Sequence, residues 1–431
     1  MENPNRQSFI YNLKLMKIFR WYPPTQSTFE RLQGYVLYII FLVLGVSLVG
    51  VEMLMRRGYD MMQAIFLCEG TFFGLKFLPM FRKGEQIKRC ISYFDGVEFG
   101  PRDKTEQRIL SNSVVLCQII AKIYIISMAC CQVLYLLPSL FLSGYDLPLR
   151  MWLPYSTTSS LVNYYTAYAY IWAVISYCAF TNASLDPLIG GLIFQAVSQL
   201  KILKHRIQNP ENFDQYTFSA TLLENYIYQK VVECIKHHTE ILNFINEFDQ
   251  CLSWCVFNQF LGTTALLCFL ITAVLTVPLA SIDGMTYIVY FFVILSQILF
   301  YCYFGTLLFE ESDMLVTATY SSHWYEYTLE TQKLYLTLME RSKRPTMLSA
   351  GGLLDLTLNT FTSNDSLAAA VYMTEWYKYD VKNQKALLTV MERSKRPVVV
   401  TVGKFVDLSL ITFTTILRRS YSLLAVLKNY Q

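Results

Sequence analysis

Long apolar runs parted by clusters of charge constrain this chain more than any other feature. A helical run of about twenty apolar residues matches the ~30 Å hydrocarbon core of a bilayer. Such runs stand at 35–54, 61–80, 114–142, 161–192, 254–277 and 287–309, and a seventh lies within 398–431. Apolar residues make up 54% of the 431 residues and charged ones only 16%. A soluble chain of this length would instead divide into domains with alternating polar and apolar stretches. The expected fold class is all-α, a polytopic membrane protein with seven transmembrane helices. A net charge of +4, scattered along the chain, leaves no basic footprint for nucleic acid.

Basic residues set the expected orientation. The first 34 residues are polar and aromatic, without the basic end and short apolar core of a cleavable signal, so the first run must act as its own anchor. Arg6, Lys14, Lys17, Arg20 and Arg31 precede it, against Arg56 and Arg57 after it. Arg82, Lys83, Lys88, Arg89, Arg102, Lys104 and Arg108 follow the second run, Arg150 alone the third, and Lys201, Lys204, Arg206, Lys230 and Lys236 the fourth. This alternation predicts a cytosolic N-terminal segment (1–34), transmembrane helices over 35–309 with cytosolic helical extensions near 199–253, and an extracellular C-terminus. The eleven cysteines fall inside the runs or in expected cytosolic segments, so no extracellular disulfide is expected.

Residues 208–250 read as two soluble helices of mixed polarity. His237 and His238 lie there, but neighbours on a helix point about 100° apart and no third ligand stands at metal spacing, so both read as solvated side chains. Glu69, Lys76 and Asp186 fall within the runs, too dispersed in sequence to propose a reaction.

The end of the chain is written twice. Residues 312–363 align without a gap on 364–415 with 25 of 52 positions identical, among them MERSKRP at 339–345 and again at 391–397. The two copies continue differently. In the first, the apolar run 346–361 carries Gly351, Gly352 and Asp355, and at ~1.5 Å per residue reaches about 24 Å, short of the bilayer core. The first copy (312–363) is thus expected to be a cytosolic or surface insertion, 364–397 a cytosolic anchor helix, and 398–431 the last transmembrane helix. That helix holds ionisable side chains, which cost several kcal/mol in a bilayer unless they meet water or a partner. A stripe at spacings of three and four, Asp407, Ile411, Thr414, Arg418, Tyr421, Ala425 and Lys428, fits a water-filled path shared by several copies or a helix packed inside a bundle.

The cytosolic N-terminus, the seven runs, HHTEIL at 237–242 and above all MERSKRP followed by GKFVDLSLITFTTILRRSYSLL resemble the insect odorant receptors, from end to end and most strongly over 391–424. That resemblance implies an odorant-gated cation channel, a tuning subunit assembled with a co-receptor into a heterotetramer whose last helix lines the pore. It implies no cofactor and no catalysis, and a place in the plasma membrane of olfactory sensory neuron dendrites. Carried onto this chain, Tyr421 matches the aromatic before the gate and Leu424 the apolar gate position. Lys428 falls where the co-receptor has an apolar residue, so this chain is not expected to conduct alone.

Volatile ligands call for an apolar, aromatic-lined cavity with a few hydroxyls in the outer half of the bundle. The candidates are Phe72, Phe73, Gln132, Tyr135, Leu136, Tyr164, Tyr168, Trp172, Phe269, Thr272, Tyr287 and Tyr290. A G-protein-coupled receptor would need its N-terminus outside, and neither Asp-Arg-Tyr after the third run nor Asn-Pro-x-x-Tyr in the seventh is present. A gustatory receptor of the same superfamily shares Asn258-Gln259-Phe260 but not the signature at 391–424. Transporters often show inverted repeats of several spans, whereas this repeat is direct and holds at most one.

Overall fold

The structure is a computed structural model and describes residues 4–355, apart from 21–27, 57–59, 138–139, 141–146, 158, 211–219, 279–280, 344–345, 347 and 351–353. The expected anchor helix (364–397) and the seventh run (398–431) lie outside the described residues. Two short helices, α1 (Pro4–Gln7) and α2 (Ile10–Ile18), precede α3 (Thr28–Leu37), which passes through a π-helical stretch (Tyr38–Val43) into α4 (Leu44–Arg56). Then come α5 (Met61–Tyr93), α6 (Lys104–Leu136), α7 (Leu161–Gln208), α8 (Ala220–Thr276), α9 (Ile282–Tyr320) and α10 (Leu329–Ser342). Apart from a hairpin of two-residue strands, Ser349–Ala350 against Leu354–Asp355, the regular structure is helical.

Local sequence explains where the long helices begin. Asp60 and Gln63 form a reciprocal capping box at the start of α5, and Asp103 accepts from the Glu106 backbone N–H at 2.6 Å at the start of α6. Ser160 and Ser281 cap α7 and α9 in the same way. Within α5, Pro79 removes one ladder bond and the backbone leaves helical geometry at Lys83 (φ −113°, ψ 19°).

Among the described residues, five stretches are long and apolar enough to cross a membrane: Phe29–Arg56, Met61–Met80, Lys104–Leu136, Leu222–Val274 and Gly284–Glu326. The 48-residue α7 is not among them. Its run is diluted by Tyr164, Tyr165, Tyr168, Tyr170 and Tyr177 together with Asn182 and Asp186. It is instead the most enclosed helix, buried almost without interruption from Thr181 to Ile193. A Cβ at Gly190 would fall on the ring of Phe300, so bare backbone lets α7 and α9 approach closely. Ile123, Ile126, Phe292 and Leu299 stand exposed on the outward faces, as lipid-facing side chains do.

One expectation needs correction at the end of the bundle that gathers the end of α7, the start of α8 and α10, here termed basal. Residues 220–250 do not divide into two helices, because α8 runs unbroken for 57 residues from Ala220 to Thr276. The first copy of the repeat begins inside α9, at Ser312, and continues into α10. Tyr335 and Leu338 of α10 are buried in the main core, beside Ile207 of α7 and Val231 of α8. Burying each such side chain stabilises by roughly 1.5–3 kcal/mol, which holds the helix down.

Candidate functional site

A cavity of about 110 Å³ opens at the other, apical end, between the first turns of α5 and α9, the last turns of α6 and the upper part of α7. Met62, Ile65, Phe66, Met128, Leu149, Ile175 and Val289 make its wall apolar. Glu69, Gln132, Tyr135, Thr286 and Tyr290 supply the polar points, with the thiols of Cys131 and Cys178. The Tyr290 hydroxyl donates to Glu69 across the space between α9 and α5. Tyr135 donates to the Pro148 carbonyl, and the Gln132 amide donates to Ser176 Oγ at 3.1 Å.

Of the twelve residues proposed from sequence, the structure brings Gln132, Tyr135 and Tyr290 together on this wall. The other nine lie elsewhere. Phe72 packs on α8, where a Cβ at Gly262 would lie 2.7 Å from its own Cβ. Phe73 stacks near Phe77 at 4.4 Å in the main core. Leu136 is buried in the cluster around Val174, and Tyr168 donates to its carbonyl at 2.8 Å. Tyr164 is buried one turn before Tyr168, and Trp172 is 44% exposed. Phe269 and Tyr287 pack between α8 and α9, while Thr272 turns back to the Cys268 carbonyl at 2.9 Å. The proposed pore and gate residues Asp407, Thr414, Arg418, Tyr421, Leu424 and Lys428 lie outside the described residues.

Sequence reasoning passed over Glu69 as isolated, yet a helical signal was available. Met62, Phe66, Glu69, Phe73 and Lys76 recur at spacings of three and four and so share one face of α5. Further along that face, Lys76 and Asp186 are not dispersed at all. They pair at 1% and 0% exposure, and Lys76 Nζ also donates to Asn182 Oδ1 at 2.8 Å and Gln259 Oε1 at 2.7 Å. Tyr301 donates to Asp186 at 2.8 Å, and the Gln259 amide donates to Gln297 at 2.8 Å. One buried polar lattice thereby ties α5, α7, α8 and α9 below the cavity, pairing the Lys76 and Asp186 charges where water cannot reach.

A second lattice closes the basal end. The Arg206 guanidinium grips the Glu106 carboxylate at 2.8 Å through both Nε and Nη2, and donates to the carbonyls of Glu98 (3.1 Å) and Gly100 (2.8 Å). A further Arg206 N–H points at His237 Nδ1 at 3.2 Å, which leaves Nε2–H to donate to Gln199 Oε1 at 3.0 Å. His237 is therefore a neutral, buried keystone, and His238 beside it is buried too, correcting the expectation of solvated side chains. The physical reason is that this turn of α8 packs its face onto α7 and the turn at Val97–Phe99. His205 lies 2.9 Å from Asp103. Partial burial alone would raise the Asp103 carboxyl, but the Glu106 backbone N–H and the His205 ring outweigh it and hold it below the usual aspartate value. Among the described residues no cluster of His, Cys, Asp and Glu is arranged to hold a metal ion.

A family model described as 7tm odorant receptor matches residues 60–364 and again 362–421, breaking where the second copy of the repeat begins. Odorant receptor 33a of Drosophila melanogaster is 20% identical over 317 residues, covering 71% of this chain and 80% of that receptor. Odorant receptor 23a of the same organism is 23% identical over 292 residues, 67% and 73% of the two chains. The match to odorant receptor 33c is 28% identical over 147 residues but spans only 38% of that receptor. Among solved structures, the insect olfactory receptor OR5 from Machilis hrabei, determined in complex with eugenol, shares the fold with a TM-score of 0.69 at 13% identity, covering 90% of this chain and 97% of that one. With the family model matched over most of its length, on a helical fold with an apolar apical cavity, the chain belongs to the odorant receptor family.

Proposed function

We propose that this chain is the odour-tuning subunit of a ligand-gated cation channel, and that its ligands occupy the apical cavity between α5, α6, α7 and α9. The observation carrying this reading is the cavity itself, an apolar enclosure with a handful of placed polar groups, as recognition of a small volatile molecule requires. The solved receptor of the same fold was determined with eugenol, a small aromatic molecule, which supports the ligand class. A ligand there touches four helices at once, so it favours whichever arrangement of them fits it better and shifts a closed to open equilibrium by that difference.

In this reading the apical end faces outward and the basal end the cytosol, in accord with the alternation of basic residues. The last helix lines the pore, with Asp407, Thr414 and Arg418 toward the aqueous path, Tyr421 and Leu424 at the gate, and Lys428 beside it. The partner is the odorant co-receptor, in a heterotetramer in the plasma membrane of olfactory sensory neuron dendrites. Whole-cell recording tests this. Co-expression with the co-receptor is expected to give odorant-evoked cation current, and this chain alone little or none. A surface-expressed pair that stays silent across a broad volatile panel would overturn the reading, and robust current from the chain alone would contradict the role given to Lys428.

A further inference from the structure

We infer that the cavity is built for small apolar amines, with Glu69 as the group that receives the ammonium head. The inference rests on the apical cavity being the ligand site and adds the chemical class of ligand.

The argument is an account of protons. Tyr290 directs its hydroxyl proton to Glu69, Tyr135 to the Pro148 carbonyl, and the Gln132 amide an N–H to Ser176. The hydroxyls of Tyr290 and Tyr135 and one amide N–H of Gln132 are thus engaged by the protein. What the cavity offers a guest is oxygen acceptors, the Glu69 carboxylate foremost. A ligand that only accepts, such as an ester or aldehyde, finds few partners there, and a carboxylate meets like charge.

Charge points the same way. Among the described residues Glu69 takes part in no ion pair, and its one hydrogen bond is the Tyr290 hydroxyl. Lys76, two turns along the same face, is held by Asp186, Asn182 and Gln259 and forms no ion pair with it. A carboxylate at membrane depth is costly unless paired. A protonated amine supplies the missing charge, accepts nothing, and donates up to three protons to a wall that needs donors. The rings of Tyr290, Tyr135 and Phe66 add faces against which a cation is favoured.

Three compounds sharing one aromatic body separate the classes: 2-phenylethylamine, 2-phenylethanol and phenylacetic acid. Binding to the full chain in lipid nanodiscs, read by displacement of labelled 2-phenylethylamine, is expected to rank amine over alcohol over acid. Glu69→Gln should weaken the amine by about tenfold or more, the scale of a charge-assisted hydrogen bond, and the alcohol by much less, with a wild-type circular dichroism spectrum showing that the variant is folded. An acid or alcohol that binds as tightly as the amine, no measurable amine binding, or an amine affinity unmoved by Glu69→Gln would each overturn the inference. Recording from cells with the co-receptor separates the two claims. Current evoked by neutral odorants but never by amines removes the amine assignment and leaves the channel reading standing. Amine binding in nanodiscs with no current for any ligand does the reverse.

Discussion

Lys76 shows how a single charge is kept inside a bundle. Its ammonium meets Asp186, Asn182 and Gln259 on α7 and α8, and Asp186 in turn accepts from Tyr301 on α9. Removing one member of a buried pair strands the other, so Lys76→Ala is expected to cost roughly 3–5 kcal/mol, read as a fall in thermal midpoint of the purified protein. Replacing both, Lys76→Met with Asp186→Leu, should recover most of that loss; a double variant as unstable as the single would show that packing, not stranded charge, sets the cost. Asp103 acts on a smaller scale. Its cap on α6 is worth about 1 kcal/mol, and because its carboxyl is held below the ordinary value of 3.8, that stabilisation is complete above pH 3.8 and is lost as pH falls through the folded value. Wild type and Asp103→Ala should therefore differ in melting at pH 6 and converge as pH falls below 3.8.

At the scale of elements, the repeat offers two related sequences for one seat. Helix α10, from the first copy, fills the place between α8 and α9 with Thr331, Tyr335, Leu338, Met339 and Ser342 inward. The corresponding residues of the second copy, Asn383, Leu387, Val390, Met391 and Ser394, keep the same small or apolar character. Leu338→Asp places a charge at a site 2% exposed, and is expected to reduce surface expression strongly. Val390→Asp should cost much less. Surface biotinylation measures both, and the opposite ranking would mean that the second copy takes the seat. Beyond α10 the first copy continues toward its apolar run. Its Ser349–Ala350 and Leu354–Asp355 form a hairpin, and Thr346 ties back to Ser312 Oγ at 2.9 Å.

For the whole molecule, the proposed channel, if gated by its last helix, should leak when the gate loses its apolar plug. Leu424→Ser is expected to raise ligand-free current in co-expressing cells, and an unchanged baseline would move the gate to another residue. The helical class and the apolar runs of α4, α5, α6, α8 and α9 could be seen in the sequence alone, because the length and hydropathy of a span are properties of adjacent residues. The repeat and the family signature at 391–424 were legible for the same reason. Which side chains meet was not. Glu69 and Tyr290 lie 221 positions apart, Lys76 and Asp186 110, and Arg206 and Glu106 100, and no local pattern encodes those partnerships. The same limit explains why Phe72 and Trp172 looked like pocket residues although one packs on Gly262 and the other faces outward. A sequence specifies how far each helix runs and which stripe is apolar, while its rotation against its neighbours is fixed only when several helices pack together. That rotation turned the face shared by Glu69 and Lys76 inward, and their positions along it set Glu69 at the cavity and Lys76 in the lattice beneath.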